Sequence, residues 1–315
     1  MNINREKNKK IFETIFIVGI STTFFLIGLY YMPWIIFLYP AFFVGLGVRN
    51  GINYNIIGLI ISSLFLGLMV DRVSGMLTLI TFAPLSVVLN YMMSKRRKSF
   101  EIILISTVIL LFSHLLVINI IGDMSGVSII NQLEDFFAQS VNTHIETLRD
   151  MDLSAYEILK VRDLLENAMD YILLILPATL IIFSLVVSYL NYLISSLTLR
   201  KLGHEIVSVP KFAKFKLPNN VLLGAGIMFV GAFLIKTLKL FYYETIILNI
   251  TVIASFMFFT QGLSVINYKL ISKKLGIIPR VLLMAFLIII LPLGWIISLI
   301  GILDVIMDFR KLGNP

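Results

Sequence analysis

The sequence predicts an all-α, polytopic helical membrane protein of eight to ten membrane segments, with an external amphipathic helical hairpin between two bundles. Three observations carry this. Hydrophobic residues make up 58% of the 315 residues and charged residues 14%, against about 25% charged in soluble domains. Mean hydropathy is +0.96, more apolar surface than a core of this size could hide from water, so lipid must solvate much of it. The apolar runs are also continuous rather than alternating. Lipid offers no partner to backbone N–H and C=O groups, so spans must be helices or a closed barrel, and continuous runs exclude the barrel.

Charge placement predicts orientation. Of the 26 Lys and Arg, 18 fall in five places: residues 5–10, Arg49, residues 95–98, residues 200–216 and residues 269–280. These are alternate gaps between runs, as the positive-inside rule requires. The net charge of +8 is therefore topogenic and implies no nucleic-acid partner. The N-terminus and Lys95-Arg96-Arg97-Lys98 are expected in the cytoplasm, with residues 122–170 outside. Cysteine is absent, which excludes disulfides, thiolate metal sites and cysteine nucleophiles.

Three parts follow: a first membrane bundle at 1–121, an extracytoplasmic segment at 122–170 and a second bundle at 171–315. The first span, 11–30, follows a basic lead-in but ends without a small-residue cleavage site, so it reads as retained. Pro33 and Trp34 mark the outer interface. Runs at 34–48 and 54–70 are short, and at about 1.5 Å per residue they barely cross a core of about 30 Å; they are either untilted or shielded by neighbours. Arg49-Asn50-Gly51 is the turn between them. A fourth span, 75–93, stops at the basic cluster, and a fifth covers 102–121.

Residues 122–170 hold ten acidic against three basic residues, the reverse of the inner loops. Ile130, Leu133, Phe137, Val141, Ile145 and Leu148 recur at helical spacing and predict one amphipathic helix. Ser154 and Glu157 form a capping box, each side chain satisfying an orphan amide. It opens a second helix with Ile158, Val161, Leu165 and Met169 on one face, expected to continue straight into the sixth span at 171–197. A basic loop, 200–218, leads to spans at 220–239 and 244–268. Lys236 and Lys239 at an outer end break the charge rule and are expected to snorkel. The run 281–307 is interrupted by Pro292 and Gly294 and reads either as one kinked span or as a hairpin, so the side of the C-terminus stays open.

Two resemblances follow from particular stretches. YPAFFVGLGVRNGINYNIIGLIISSLFLG (39–67), with Gly45, Gly47, Gly51, Gly58 and Gly67, a basic lead-in and a basic stop, resembles the membrane-embedded substrate-binding (S) components of energy-coupling-factor vitamin transporters over residues 5–98. LPATLIIFSLVVSYLNYLISSLTLRKLG (176–203), PKFAKFKLP (210–218) and GILDVIMDFRK (301–311) together resemble the YybS-like family of uncharacterised bacterial membrane proteins over nearly the whole chain. The second resemblance implies membrane residence and supplies no catalytic residues.

Candidate site residues lie where polar groups meet apolar runs. His114 is ionisable inside the fifth span, and Thr107, seven residues earlier, shares its face. The pair either serves a solute or proton site or bonds a neighbouring helix. Asp71 and Arg72 close the third run and either bind a charged solute or pair at the interface. Gln261 with Thr260 and Ser264 must face protein or a cavity, because polar groups in hydrocarbon need partners. Lys211, Phe212, Lys214, Phe215 and Lys216 alternate cation with aromatic and suit either the inner leaflet or a cytoplasmic partner. Asp304 and Asp308 beside Arg310 read as a structural cap or as paired carboxylates.

HExxH, GxSxG, a phosphate-binding P-loop, GxGxxG before a helix and paired mid-membrane aspartates are all absent. Three scattered histidines make no metal set. The sequence thus predicts no enzyme, cofactor or metal. It predicts a small-molecule-binding or transport-related membrane protein, or alternatively a scaffold engaging an envelope or cytoplasmic partner.

Overall fold

The computed structural model describes residues 2–149, 154–204, 211–238, 242–290 and 293–312. Asp150, Asp152, Pro210, Lys239 and Pro292, all used in reading the sequence, lie outside them. Twelve α-helices and no strand occur among the described residues. Six helices are long and apolar enough to cross a membrane, or seven if the broken pair near the C-terminus is one span. Side chains such as Leu68, 83% exposed in the isolated chain, have lipid as their only apolar surroundings.

The chain forms two compact units, residues 1–133 with 183–209, and residues 134–182 with 210–315. The boundaries differ from 121 and 170 because α6 and α8 each run from one unit into the other.

Unit 1 contains α1 (Asn2–Tyr31), a 3-10 segment (Pro33–Leu38), α2 (Pro40–Asn50), α3 (Ile52–Met69), α4 (Arg72–Ser94) and α5 (Ser99–Ser125), then the start of α6 (Ile129–Arg149) and most of α8 (Leu176–Lys201). Pro33 and Pro40 punctuate the entry to α2. Each has a fixed φ and no donor, which suits the first turn of a helix and disfavours its interior. Gly51, at φ 111°, makes the turn into α3 in a conformation that L side chains rarely adopt. With only 11 residues, α2 spans about 16 Å. It is shielded by neighbours: Phe43, Val44, Leu46 and Gly47 are buried, and it packs on α1, α3 and α4.

Small and polar side chains line the interior of this unit. Lipid is as apolar as leucine, so helices associate through close packing and interhelical hydrogen bonds. Thr22 Oγ1 meets Ser62 Oγ at 2.8 Å. Asn55 Nδ2 donates to the Ser86 carbonyl, and Ser86 Oγ donates back to Asn55 Oδ1, each at 3.2 Å. Asn191 donates to the Phe37 carbonyl at 2.7 Å. Ser99 meets Tyr192 at 3.0 Å and His114 meets Ser184 at 3.0 Å. The first of these pairs is early on α5 and late on α8, the second the reverse, so the two helices run antiparallel.

Unit 2 contains the rest of α6, α7 (Ala155–Leu174), the start of α8, a 3-10 turn (Phe212–Lys214), α9 (Val221–Thr237), α10 (Tyr243–Ser272), α11 (Ile277–Ile289) and α12 (Gly294–Met307). Val141 and Ile145 of α6 are buried, while Ile130 of the same row is 50% exposed. The Ser154–Glu157 capping box is present at the start of α7. It holds the Glu157 carboxyl below its usual range, through the Ser154 side chain first and its backbone second.

Helix α7 does not continue straight into α8. It ends at Leu174, and α8 begins at Leu176 with Pro177 in its first turn. Asn249 of α10 occupies the break. Its Oδ1 accepts from the Ala178 N–H at 2.6 Å and its Nδ2 donates to the Leu174 carbonyl at 2.8 Å. Those two backbone groups would bond each other in an unbroken helix.

Helices α10 and α12 are parallel. Ser255 bonds Ser298, the Phe258 carbonyl abuts Gly301, and Gln261 bonds Asp304, all at an offset of 43 residues. A side chain on Gly262 would strike the Ile297 carbonyl, and one on Gly301 the Phe258 carbonyl. The ends of both helices therefore lie at one end of unit 2, beside residues 211–217. This answers the question the sequence left open: the last run is broken, and its second half returns alongside α10. On α9, Lys236 places its ammonium 5.5 Å from the centre of the Tyr243 ring, a cation–π contact.

Candidate functional site

A cavity of about 500 Å³ opens on unit 1. One wall is α1, through Phe16, Ile17 and Phe24. The floor is Leu38 and the successive α2 turns at Ala41, Phe42 and Gly45, and the other wall is Ile194, Thr198 and Leu202 of α8. Ile194, Thr198 and Leu202 are spaced by four and so share a helix face. Nothing lies within 4 Å of where a Gly45 side chain would begin, so the glycine leaves the floor open.

One end of the cavity is charged. Arg49 Nη2 lies 3.3 Å from Glu13 Oε1, and Asn50 Nδ2 donates to Glu13 Oε2 at 2.9 Å. Both carboxylate oxygens are thus engaged. The Glu13 and Arg49 side chains keep 23% and 33% exposure, so the pair sits at a mouth rather than in the core. Lys9 and Lys10 precede Glu13 by one turn, and Lys201 adjoins Leu202.

The residues singled out in the sequence lie elsewhere. Asp71 caps α4, accepting from the Ser74 N–H at 2.9 Å and from the Ser74 hydroxyl. Those two bonds, the side-chain one first, hold its carboxyl below the usual range. Arg72 is exposed beside it. Thr107 is buried and donates to the Ile103 carbonyl at 2.7 Å. His114 is half-buried, with Nδ1 3.0 Å from Ser184 Oγ and its ring 5.5 Å from that of Phe183. None of the four lines the cavity.

Gln261 belongs to unit 2 and anchors a buried polar network. Its Oε1 accepts from the Leu217 N–H at 3.0 Å, and its Nε2 donates to Asp304 Oδ2 at 2.6 Å. Arg310 completes the network. Nε and Nη2 reach Asp304 Oδ2, Nη1 reaches the Ala213 carbonyl and Ser264 Oγ, and Nη2 reaches the Phe215 carbonyl. A guanidinium has five N–H donors, and each has an acceptor here. Lys216 pairs with Asp308 at 3.0 Å. Phe212 and Phe215 stack with centroids 6.5 Å apart. The basic loop is thus fastened on one side to α10 and α12, while Lys211 and Lys214 remain exposed.

The cavity residues Glu13, Phe42, Gly45, Arg49 and Thr198 went unremarked as a site in the sequence. Glu13 was the available signal, a carboxylate just inside a span beyond a run of cations. Its meeting with Arg49 depends on the α1–α2 packing, which no spacing encodes. Among the described residues, no three His, Asp or Glu side chains converge as a metal site.

Residues 19–305 match a family described as "Predicted membrane protein (DUF2232)". Among curated proteins, the chain is similar to "Uncharacterized protein YybS" of Bacillus subtilis (strain 168), 27% identical over 150 residues. That match covers 47% of this chain and 48% of the relative, so the chain spans about half the length of the curated relative it matches. No solved structure matches. With nearly all its membrane helices inside the matched range, the chain belongs to the DUF2232 family of YybS-like integral membrane proteins.

Proposed function

We propose that this protein binds a small molecule within the membrane and serves a transport-related role without catalysing a reaction. The cavity in unit 1 is the observation that carries the reading. Ligand sites are typically concave, mostly apolar and about 300–1,000 Å³, with a few polar groups fixing orientation. A volume of about 500 Å³ with apolar walls and a Glu13–Arg49 pair at one mouth fits that description. The resemblance of residues 5–98 to S components supports it, since α1 and α2 supply most of the lining. Energy coupling would come from a partner, because the chain has no recognisable nucleotide site. The charge pattern supports residence in the bacterial cytoplasmic membrane, with the N-terminus and basic loops inside and residues 122–170 outside.

The test is mass spectrometry of small molecules that co-purify with the detergent-solubilised protein. A molecule present in stoichiometric amount and depleted by Gly45→Phe is the expected result; a protein that carries nothing, with or without the substitution, overturns the reading.

A scaffold role is the second reading, favoured by the outer helices. Phe136, Tyr156, Leu159 and Leu164 are each 59–76% exposed on α6 and α7, and such residues outside the bilayer suit a protein partner. Photocrosslinking from Tyr156 in cells separates the readings: a single envelope-protein adduct favours the scaffold.

A further inference from the structure

We infer that the cavity of unit 1 is a site for an anionic membrane phospholipid, with one acyl chain along the groove and the phosphate at the mouth formed by Arg49. The inference rests on the reading that this cavity holds a ligand, and it names the ligand's class.

Depth is the first argument. From Glu13 to Phe24 the groove follows 11 residues of α1, about 16 Å. Half of a hydrocarbon core of about 30 Å is about 15 Å. The groove thus has the depth of one leaflet, and it begins at the charged end of the helix, where that leaflet's headgroups lie. A water-soluble solute would need polar contacts along this length. Apart from Thr198, the walls between the ends are Phe, Ile, Leu, Ala and Gly.

Charge is the second argument. An anionic headgroup needs cations, and a zwitterionic one also needs a free carboxylate for its ammonium. Both Glu13 oxygens are already engaged, by Arg49 and Asn50. Arg49 lines the mouth with further N–H groups, and on the same face of α1 Lys9 and Lys10 lie one turn before Glu13, outnumbering Glu6 one turn further out. Basic pockets between membrane helices on the cytoplasmic side bind anionic headgroups in this way. Arg49 is suited to phosphate because its planar fork matches two oxygens at once.

Space is the third. Gly45 forms the floor with nothing within 4 Å of its would-be side chain. A chain can lie there, and a side chain introduced there would begin in open space.

The experiment uses the full-length protein in nanodiscs and in detergent. Phosphatidylglycerol, phosphatidylethanolamine and phosphatidylcholine with identical acyl chains compete for retention, read by native mass spectrometry. The wild type should retain phosphatidylglycerol preferentially. Arg49→Gln should cut that preference about fivefold, the factor expected for losing one basic side chain near the surface. Glu13→Gln should raise it, because it frees Arg49; a purely structural ion pair would lose stability in both variants and show no opposite trend. Gly45→Phe should abolish retention of every lipid at this site while the protein stays monodisperse and helical by circular dichroism. Equal retention of the three lipids by the wild type overturns the inference. So does a Gly45→Phe protein that keeps its lipid. A non-lipid molecule displaced by Gly45→Phe would overturn the lipid assignment and leave the binding reading standing, whereas no displaced species of any kind would remove both. A wild-type dimer that Gly45→Phe dissociates would put a second copy's helix in the groove instead.

Discussion

Asp304 and Arg310, six residues apart, meet at 2.8 Å with both side chains excluded from solvent. A buried ion pair is weak evidence of net stabilisation, because desolvation offsets the attraction, but breaking one side strands a charge and costs about 3–5 kcal/mol. Arg310 also satisfies the carbonyls of Ala213 and Phe215. Arg310→Met should therefore destabilise unit 2 by at least that range in equilibrium unfolding in mixed micelles. Adding Asp304→Leu should recover part of the loss by removing the stranded carboxylate. If the double variant falls by the sum of the single losses, the two side chains are not coupled.

Asn249 takes over both ends of a broken helical hydrogen bond. Asn249→Leu should leave the Ala178 N–H and the Leu174 carbonyl without partners, because Pro177 opposes closing the helix through this point. Each orphaned group costs about 1–3 kcal/mol in soluble proteins, but side-chain bonds in a membrane bundle average nearer 0.6 kcal/mol. A loss of about 1–2 kcal/mol is expected. Asn249→Asp, which keeps the acceptor and loses the donor, should fall between. Faster amide exchange at Ala178 in Asn249→Leu, with little change in Asn249→Asp, would locate the effect, because only the first loses the acceptor for that N–H.

Gly301 and Gly262 set the approach of α12 to α10. Gly301→Ala places a methyl group against the Phe258 carbonyl, a backbone atom that cannot swing aside. The helices must part, and the Gln261–Asp304 bond lengthens with them. The substitution should destabilise, whereas Gly224→Ala on α9, where nothing lies within 4 Å, should be neutral or slightly stabilising, because alanine is the better helix former. Equal thermal midpoints for the two variants would contradict the close crossing.

Much of this fold was legible in the sequence because its signals are local. Apolar run length gave the six long helices, while the runs at 34–48 and 220–239 form shorter ones, and Ser154 and Glu157 gave the start of α7. The straight passage from α7 into α8 was misread because its break depends on Asn249, 75 residues from Leu174. The fate of the last run was open for the same reason, since its direction is set by glycine-to-carbonyl packing on α10. PKFAKFKLP and GILDVIMDFRK stood out as separate stretches, and their meeting through Arg310 and Ser264 is tertiary. Candidate site residues were sought among polar groups inside spans. In lipid those groups are the ones recruited to join helices, as His114 and Gln261 are. The cavity is instead lined by apolar residues with no chemical signature of their own.

The Ser154–Glu157 box predicts a pH dependence with a definite sign. The Glu157 carboxyl is held below its ordinary value of 4.5 in the folded chain, through its bonds to Ser154. Its contribution is therefore fully present above the unfolded value and is lost as pH falls through the folded one. Protection of the first amides of α7 from hydrogen exchange, corrected for the intrinsic rate, should hold above about pH 5 and decline below. Glu157→Gln keeps the reciprocal bond without a titrating group, so its protection should be flat across that window.

Topology is testable because the chain has no native cysteine. Single cysteines at Ser94, Thr143 and Lys311 all fall at exposed positions. The charge asymmetry predicts Ser94 inside and Thr143 outside. The parallel packing of α10 and α12 puts Lys311 at the same end as residues 211–217, so the same charge rule predicts it inside as well. An impermeant thiol reagent added to intact cells should label the cysteine at 143 alone, and all three should react after permeabilisation. Labelling at 311 in intact cells would mean that the last run crosses once and that α12 is antiparallel to α10, against the shared 43-residue offset. Labelling at 94 with protection at 143 would invert the whole chain and put the cavity mouth at Arg49 in the opposite leaflet.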